Sequence, residues 1–226
     1  MKFNNYDDPR WVARNVRKGK HREAIGGLWD KLGNLQFECL TANGLKPEHK
    51  LLDIGCGALR LGALAVPYLM PGNYYGTDIN KELFVTGWEK EIDQKERLPI
   101  GNMTVDNDFS FDGVPKDIDF AIANSVFTHL PINHLRRCLL RIGKFPRLKN
   151  FFFTVFLVPE GGDVTARIPQ KGGIVSYDYR DPFHCTRSDI DYVAKEAGYS
   201  VSEYDWEHPR NQKMFLARPL KAKSKR

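Results

Sequence analysis

Residues 51–62, Leu-Leu-Asp-Ile-Gly-Cys-Gly-Ala-Leu-Arg-Leu-Gly, constrain this chain more than any other stretch. An apolar run (Leu51, Leu52, Ile54) meets a pair of glycines, Gly55 and Gly57, and an apolar, helix-prone stretch follows. A buried parallel strand that turns sharply into a helix reads this way, and it leaves its backbone bare for a ligand. Lacking a Cβ, glycine opens turn dihedrals closed to other residues and lets a ligand lie against the main chain. Asp53 stands inside the apolar run, where an unpaired carboxylate is costly. It is expected to hold the loop's amides or to meet a ligand. A second strand is expected at 73–77, ending in Asp78, 21 residues after Gly57. An acid at the end of the second strand is the acceptor that ribose hydroxyls need. The pattern implies a nucleoside-containing cofactor.

Glycine spacing narrows the choice of cofactor. The dinucleotide fingerprint G-x-G-x-x-G places a third glycine where the helix packs beneath the pyrophosphate. Counted from Gly55 that place holds Arg60, and the next glycine is Gly62. The segment Asp53-Ile54-Gly55-Cys56-Gly57 instead resembles motif I of class I S-adenosylmethionine (SAM)-dependent methyltransferases, in which one residue separates an acid from Gly-x-Gly. Where that family often carries a further glycine, this chain has Leu59.

Size and charge exclude several other classes. A chain of 226 residues, 42% hydrophobic and 27% charged, suits one domain with a small elaboration. No stretch approaches the ~18 apolar residues of a membrane-spanning helix, and the amino terminus lacks the apolar core of a signal peptide. Cys39, Cys56, Cys138 and Cys185 lie far apart, and the six histidines show no H-x-x-x-H spacing, so neither a metal site nor a disulfide framework is expected. A reducing, cytoplasmic setting follows as the expectation. The formal charge of +6 resides at the ends: residues 1–22 carry seven Lys/Arg against two Asp/Glu, and 221–226 carry four Lys/Arg. The intervening body is mildly acidic. Basic ends suit a phosphate-bearing partner, but solvated termini are the commoner outcome.

Along the chain, apolar segments alternate in kind. Strands are expected at 50–54, 74–77, 103–105, 118–123 and 151–158, with helices at 59–69, 81–94, 131–145 and 186–197 between and after them. Two strands, 199–204 and 213–217, then follow with no helix between, which implies an antiparallel pair. Thr186 with Asp189 three residues on reads as a capping box. This is also the strand order of the methyltransferases, and the resemblance covers about residues 46–218. The expected fold is therefore α/β, a Rossmann-like, seven-stranded, mostly parallel sheet with helices on both faces and its last strand antiparallel. Residues 1–45 are expected to form an N-terminal helical lid, 46–218 the SAM-binding core with a substrate-site insertion at 159–185, and 219–226 a basic tail.

The resemblance assigns cofactor contacts position by position. Asp53, Gly55, Cys56 and Gly57 form the loop. Asp78 falls where the family places its ribose-binding acid, with Ile79 beside the adenine. After the third strand the family has an acid followed by an apolar residue for the adenine, a place filled by Asp108 and Phe109, with Asp106 as the alternative. The run Asn124-Ser125-Val126-Phe127-Thr128-His129-Leu130 resembles the segment after the fourth strand in small-molecule methyltransferases, and puts Asn124 and Ser125 near the methionine part. Arg60 is placed to pair with the cofactor's carboxylate or to lie on the surface. A hydroxyl or ammonium acceptor must lose a proton, and histidine suits that task. His184, in the long segment after the fifth strand, ranks just ahead of His129 as the candidate base. The implied activity is methyl transfer from SAM to an oxygen or nitrogen of a small molecule. A nucleic-acid methyltransferase using the basic ends and a non-catalytic methyltransferase-like binding protein remain as alternatives, with a nicotinamide oxidoreductase behind them.

Overall fold

The computed structural model describes residues 4–220. Of the basic tail at 219–226, all but the first two residues lie outside the described residues. Five parallel strands come first in the core: β1 (Leu51–Ile54), β2 (Tyr74–Asp78), β3 (Met103–Val105), β4 (Phe120–Ala123) and β5 (Asn150–Leu157). A two-stranded ribbon, β6 (Ile168–Pro169) with β7 (Val175–Ser176), follows, and β8 (His184–Cys185) pairs alongside the end of β5. The chain closes with β9 (Tyr199–Tyr204) and β10 (Lys213–Pro219), and β10 runs antiparallel between β5 and β9. The main path of the sheet is β3-β2-β1-β4-β5-β10-β9. The expected fold class is the observed one.

Helices cover both faces. The amino-terminal segment supplies α1 (Pro9–Arg17), α2 (His21–Ala24) and α3 (Trp29–Ala42); the core adds α4 (Gly62–Tyr68), α5 (Lys81–Glu91), α6 (Ile132–Ile142) and α7 (Arg187–Glu196). Successive strand side chains point to opposite faces, and the two apolar layers divide accordingly. Leu52, Ile54, Ala121, Ala123, Phe151 and Phe153 meet Leu135, Leu139, Ile190 and Val193 of α6 and α7. Leu51, Phe120, Ile122, Phe152 and Met214 meet Leu40, Ala65, Val66 and Phe84 of α3, α4 and α5. Burial on both faces is why β5 reads as the unbroken run Phe-Phe-Phe-Thr-Val-Phe.

Local chemistry sets the element ends. The capping box expected at Thr186 is present: Asp189 N–H donates to Thr186 Oγ1 at 3.1 Å, and Thr186 N–H to Asp189 Oδ2 at 2.8 Å. Helix α4 begins at Gly62 rather than at residue 59, because Leu59 takes a left-handed conformation (φ +62°) that prolongs the turn. Among the described residues no helix is long and apolar enough to cross a membrane.

The helix after β2 presses directly on the first turn. A Cβ on Gly87 of α5 would lie 2.3 Å from the carbonyl oxygen of Ala58 and 2.4 Å from its carbonyl carbon. Backbone cannot yield as a flexible side chain does, so Gly87→Ala should cost about 3 kcal/mol, at the upper end of overpacking penalties. Urea unfolding of the two proteins measures this, and an unchanged midpoint would show that α5 is not seated on the loop.

Candidate active site

The chain steps outward from β1 to β3 on one side of the sheet and from β4 to β5 on the other. Ligands in open α/β sheets bind at the carboxyl ends of the strands where this direction reverses. A cavity of about 780 Å³ opens there.

Its floor is the turn after β1. Gly55 and Cys56 donate their amides to Thr77 O at 2.7 and 3.0 Å, and Gly57 N–H donates to Asp78 Oδ2 at 2.8 Å. Both glycines have positive φ, +69° and +54°. A Cβ would meet Val126 Cγ2 at 2.5 Å from Gly55, and Ile25 Cγ2 at 2.8 Å from Gly57. Bare backbone is thus required twice over, by conformation and by space. Asp78 also accepts from Asn80 N–H through Oδ1 at 2.8 Å. Each carboxylate oxygen retains acceptor capacity after one such bond. Burial pushes the Asp78 carboxyl above its ordinary range, against the pull of these amides.

Asp53 lines the cavity, and its protein partner is a hydroxyl rather than the loop's amides. Tyr74 Oη donates to Asp53 Oδ2 at 2.6 Å, both groups being buried. Burial pushes the Asp53 carboxyl up to about 7.

Every cofactor candidate from the sequence lines this cavity except Asp108. Asp108 points outward to Arg137 at 2.6 Å, and that guanidinium holds its carboxyl below the usual range. Asp106 and Phe109 stand in the wall instead. The Asp106 carboxylate gathers the amides of Asp108, Ser110 and Phe111 at 2.8–3.2 Å and so shapes the loop after β3. On the opposite wall, Ser125 N–H donates to Thr154 Oγ1 at 2.6 Å, and Ser125 Oγ to Gln212 Oε1 at 2.9 Å. Two buried polar atoms of the wall, Asn124 Oδ1 and Arg60 Nε, have no hydrogen-bond partner among the described residues.

The fold separates the two histidines. His129 lines the cavity, and its Nδ1 lies 2.6 Å from Asp181 Oδ1. Its ring packs edge-on against Tyr6, centroids 5.1 Å apart. His184 is drawn into the sheet as β8 opposite Phe156, and both ring nitrogens are engaged, Nδ1 with Ser176 Oγ at 3.1 Å and Nε2 with Val164 O at 2.8 Å. It does not line the cavity, nor does any residue of 159–185. That segment supports the wall from behind, through Asp181 on His129 and Gln170 on Asn211 of the β9–β10 turn.

Several lining residues had no signal in the sequence. Tyr6 and Ile25 come from the amino-terminal segment, Gln36 from α3, and Arg210 and Gln212 from the β9–β10 turn. Asn4 Nδ2 donates to His129 O at 2.9 Å and Asn80 Nδ2 to Tyr6 O at 3.1 Å, which straps the amino-terminal segment across the cavity. Tyr6 is pushed up to about 12, by burial first and then by Asp181 and Asp78. Among the described residues no three His, Cys, Asp or Glu side chains cluster as metal ligands.

The Asp53 carboxyl gives a pH signature. Its folded value stands above the unfolded one, so the folded protein keeps a proton that the unfolded chain releases. That contribution is fully present below about pH 4 and is lost as pH rises to about 7. Asp53→Asn keeps an acceptor for Tyr74 and removes the titration. The stability of wild type relative to this variant should fall by on the order of 2–4 kcal/mol between about pH 4 and pH 8. Urea unfolding across that range checks it, and a pH-independent difference would show that Asp53 titrates normally.

Comparison with known proteins adds to this geometry. Residues 52–146, from the first strand through α6, match the family described as a methyltransferase domain. No curated protein matches the sequence. In three dimensions the chain is similar to magnesium protoporphyrin IX methyltransferase from Synechocystis PCC 6803 with bound SAM, at 15% identity, covering 97% of this chain and 99% of that one with a TM-score of 0.63. It is also similar to DhpI in complex with S-adenosylhomocysteine (SAH), at 15% identity and 96% coverage of each chain, TM-score 0.60. Human N-acetylserotonin methyltransferase with SAM aligns at 16% identity over 93% of this chain and 59% of that one, TM-score 0.59. Residues 52–146 thus resemble a methyltransferase domain, and the chain has the fold of the class I SAM-dependent methyltransferases.

Proposed function

We propose that the protein binds SAM in this cavity and transfers its methyl group to an oxygen or nitrogen of a small molecule. The observation that carries the reading is the pairing of a bare glycine turn with Asp78 at one cavity, beside two buried polar atoms that lack partners among the described residues. The residues fit the cofactor group by group. Asp78 offers its remaining acceptor capacity to ribose hydroxyls, and Ile79 and Phe109 offer apolar surface for a base. Asn124 Oδ1 is a free acceptor for an ammonium group, and Arg60 Nε a free donor for a carboxylate. The comparisons support a small-molecule acceptor to the extent that the named neighbours act on small molecules.

SAM supplies a methyl group activated on a sulfonium. The protein's part is to align an acceptor with it, exclude water and accept a proton. Tyr6, strapped to Asn80 and packed on His129, forms part of the cavity wall beside the base. His129 is the base: with Nδ1 turned to Asp181, its Nε2 is left to face the acceptor. His184 serves the loop that carries Asp181, because both its nitrogens are already engaged.

Two experiments test this reading. With SAM or SAH at 100 times its dissociation constant the wild type should gain ~2.7 kcal/mol, a rise in Tm of roughly 5–10 °C, and Asp78→Ala should lose most of it. A shift with NAD and none with SAM would overturn the cofactor assignment. In turnover with radiolabelled SAM on an acceptor found by screening, His129→Gln should lower kcat by about 100-fold while leaving the SAH shift intact. His184→Asn should instead lower unfolding stability, by about 1–3 kcal/mol. The reverse pattern would move the base to His184.

A further inference from the structure

The cavity holds one cation more than the cofactor can match. Arg60 and Arg210 both line it, from the turn after β1 and from the β9–β10 turn. Each donates through Nη2 to a neighbouring main-chain carbonyl of the amino-terminal segment, Arg60 to Ile25 O at 2.6 Å and Arg210 to Gly26 O. Among the described residues neither guanidinium forms an ion pair with a carboxylate. The acids of the cavity are engaged elsewhere: Asp53 by Tyr74, Asp78 by the amides of Gly57 and Asn80, and Asp106 by three amides of its own loop. Arginine cannot shed its proton as lysine does, so an unmatched guanidinium at a partly buried place has to find an anion or remain costly.

SAM brings one carboxylate, together with an ammonium and a sulfonium. That carboxylate is matched by Arg60, whose Nε is buried without a partner. Arg210 is left over, and it is held firmly where it stands. His208 Nδ1 accepts from the amides of Arg210 (3.1 Å) and Gln212 (3.4 Å), with its ring stacked on Trp206. Asn211 Nδ2 donates to Gln170 Oε1 at 2.9 Å. Gln212 meets Ser125 at the end of β4. The turn therefore presents Arg210 on the β4 side of the cavity, away from the loop after β3 that would flank the adenine.

We propose that Arg210 forms an anion subsite for the methyl acceptor, so that the acceptor is a small molecule bearing a carboxylate or a phosphate. The proposal rests on reading the cavity as the cofactor and acceptor site. It assigns the acceptor's charge, which the fold alone leaves open. An anion there balances the second guanidinium, in the same cavity that His129 lines.

The test uses the whole 226-residue chain saturated with SAH, titrated calorimetrically at constant ionic strength with 4-hydroxybenzoate, phenyl phosphate and neutral 4-hydroxybenzamide. Wild type is compared with Arg210→Met, Arg210→Lys and the exposed control Arg136→Met. At least one anion should bind about tenfold or more tightly than the amide. Arg210→Met should abolish that preference, Arg210→Lys should keep part of it, and Arg136→Met should leave it unchanged. Preference for one anion over the other separates a carboxylate from a phosphate acceptor. Binding of the amide as tight as that of the anions, no binding of either anion, or a preference that survives Arg210→Met would each overturn the subsite. So would a tenfold loss of SAH affinity in Arg210→Met, which would give Arg210 to the cofactor. SAH affinity and Tm of each variant show whether it folds. Should SAH fail to bind the wild type, the methyltransferase reading fails separately, and the same anion titrations on the free protein still decide the subsite.

Discussion

The Asp78 carboxylate ties together the two turns on which the cavity is built. One oxygen takes the amide of Gly57 at the end of the first turn, and the other takes the amide of Asn80 at the start of α5. Asn80 in turn holds Tyr6, and Tyr6 packs on His129 beyond the fourth strand. A single buried acid thus fixes the glycine turn, the entrance to α5 and the strap across the cavity. Its burial is electrostatically unfavourable, and charge-assisted bonds to amides offset this.

How much of this could be read from the chain depends on how far each relation reaches. Local signals were legible. The apolar strand with Gly55 and Gly57, the acid at Asp78 and the Thr186–Asp189 box each declare themselves within a few residues, and the alternation of strands and helices gave the sheet. Relations between distant segments were not. Tyr6 and Arg210 are separated by nearly the whole chain, and nothing near either one marks it as part of a cavity. The sequence ranks His184 just ahead of His129, and the fold reverses the order. Pairing of His184 with Phe156 in the sheet separates them, and pairing is a tertiary outcome. Asp108 and Asp106 differ for a related reason: the loop after β3 curls around the Asp106 carboxylate, which turns Asp108 outward toward α6.

The cavity also shows how one protein accommodates charges of opposite demand. Its acids are bonded to neutral donors, hydroxyl or amide, and its guanidiniums to neutral carbonyls. No buried ion pair among these groups cancels charge inside the protein. A pair would pay the desolvation of both partners and would leave a ligand little to recognise. The fields of Asp78, Arg60 and Arg210 remain available to whatever enters.

Leu59 occupies the place where related loops often carry a glycine, and it adopts the left-handed conformation that glycine favours, φ +62°. Such a conformation costs a branched side chain about 1 kcal/mol or more. What holds it is the side chain itself, fully buried in the layer formed with Leu51, Tyr74 and Phe152. A glycine at this corner would let the turn flex by itself. With leucine, the turn can change shape only by pulling an anchor out of the interior, so its motion is coupled to the cooperative melting of the domain. The part of the protein that greets the ligand has thereby taken on the rigidity of the part farthest from it.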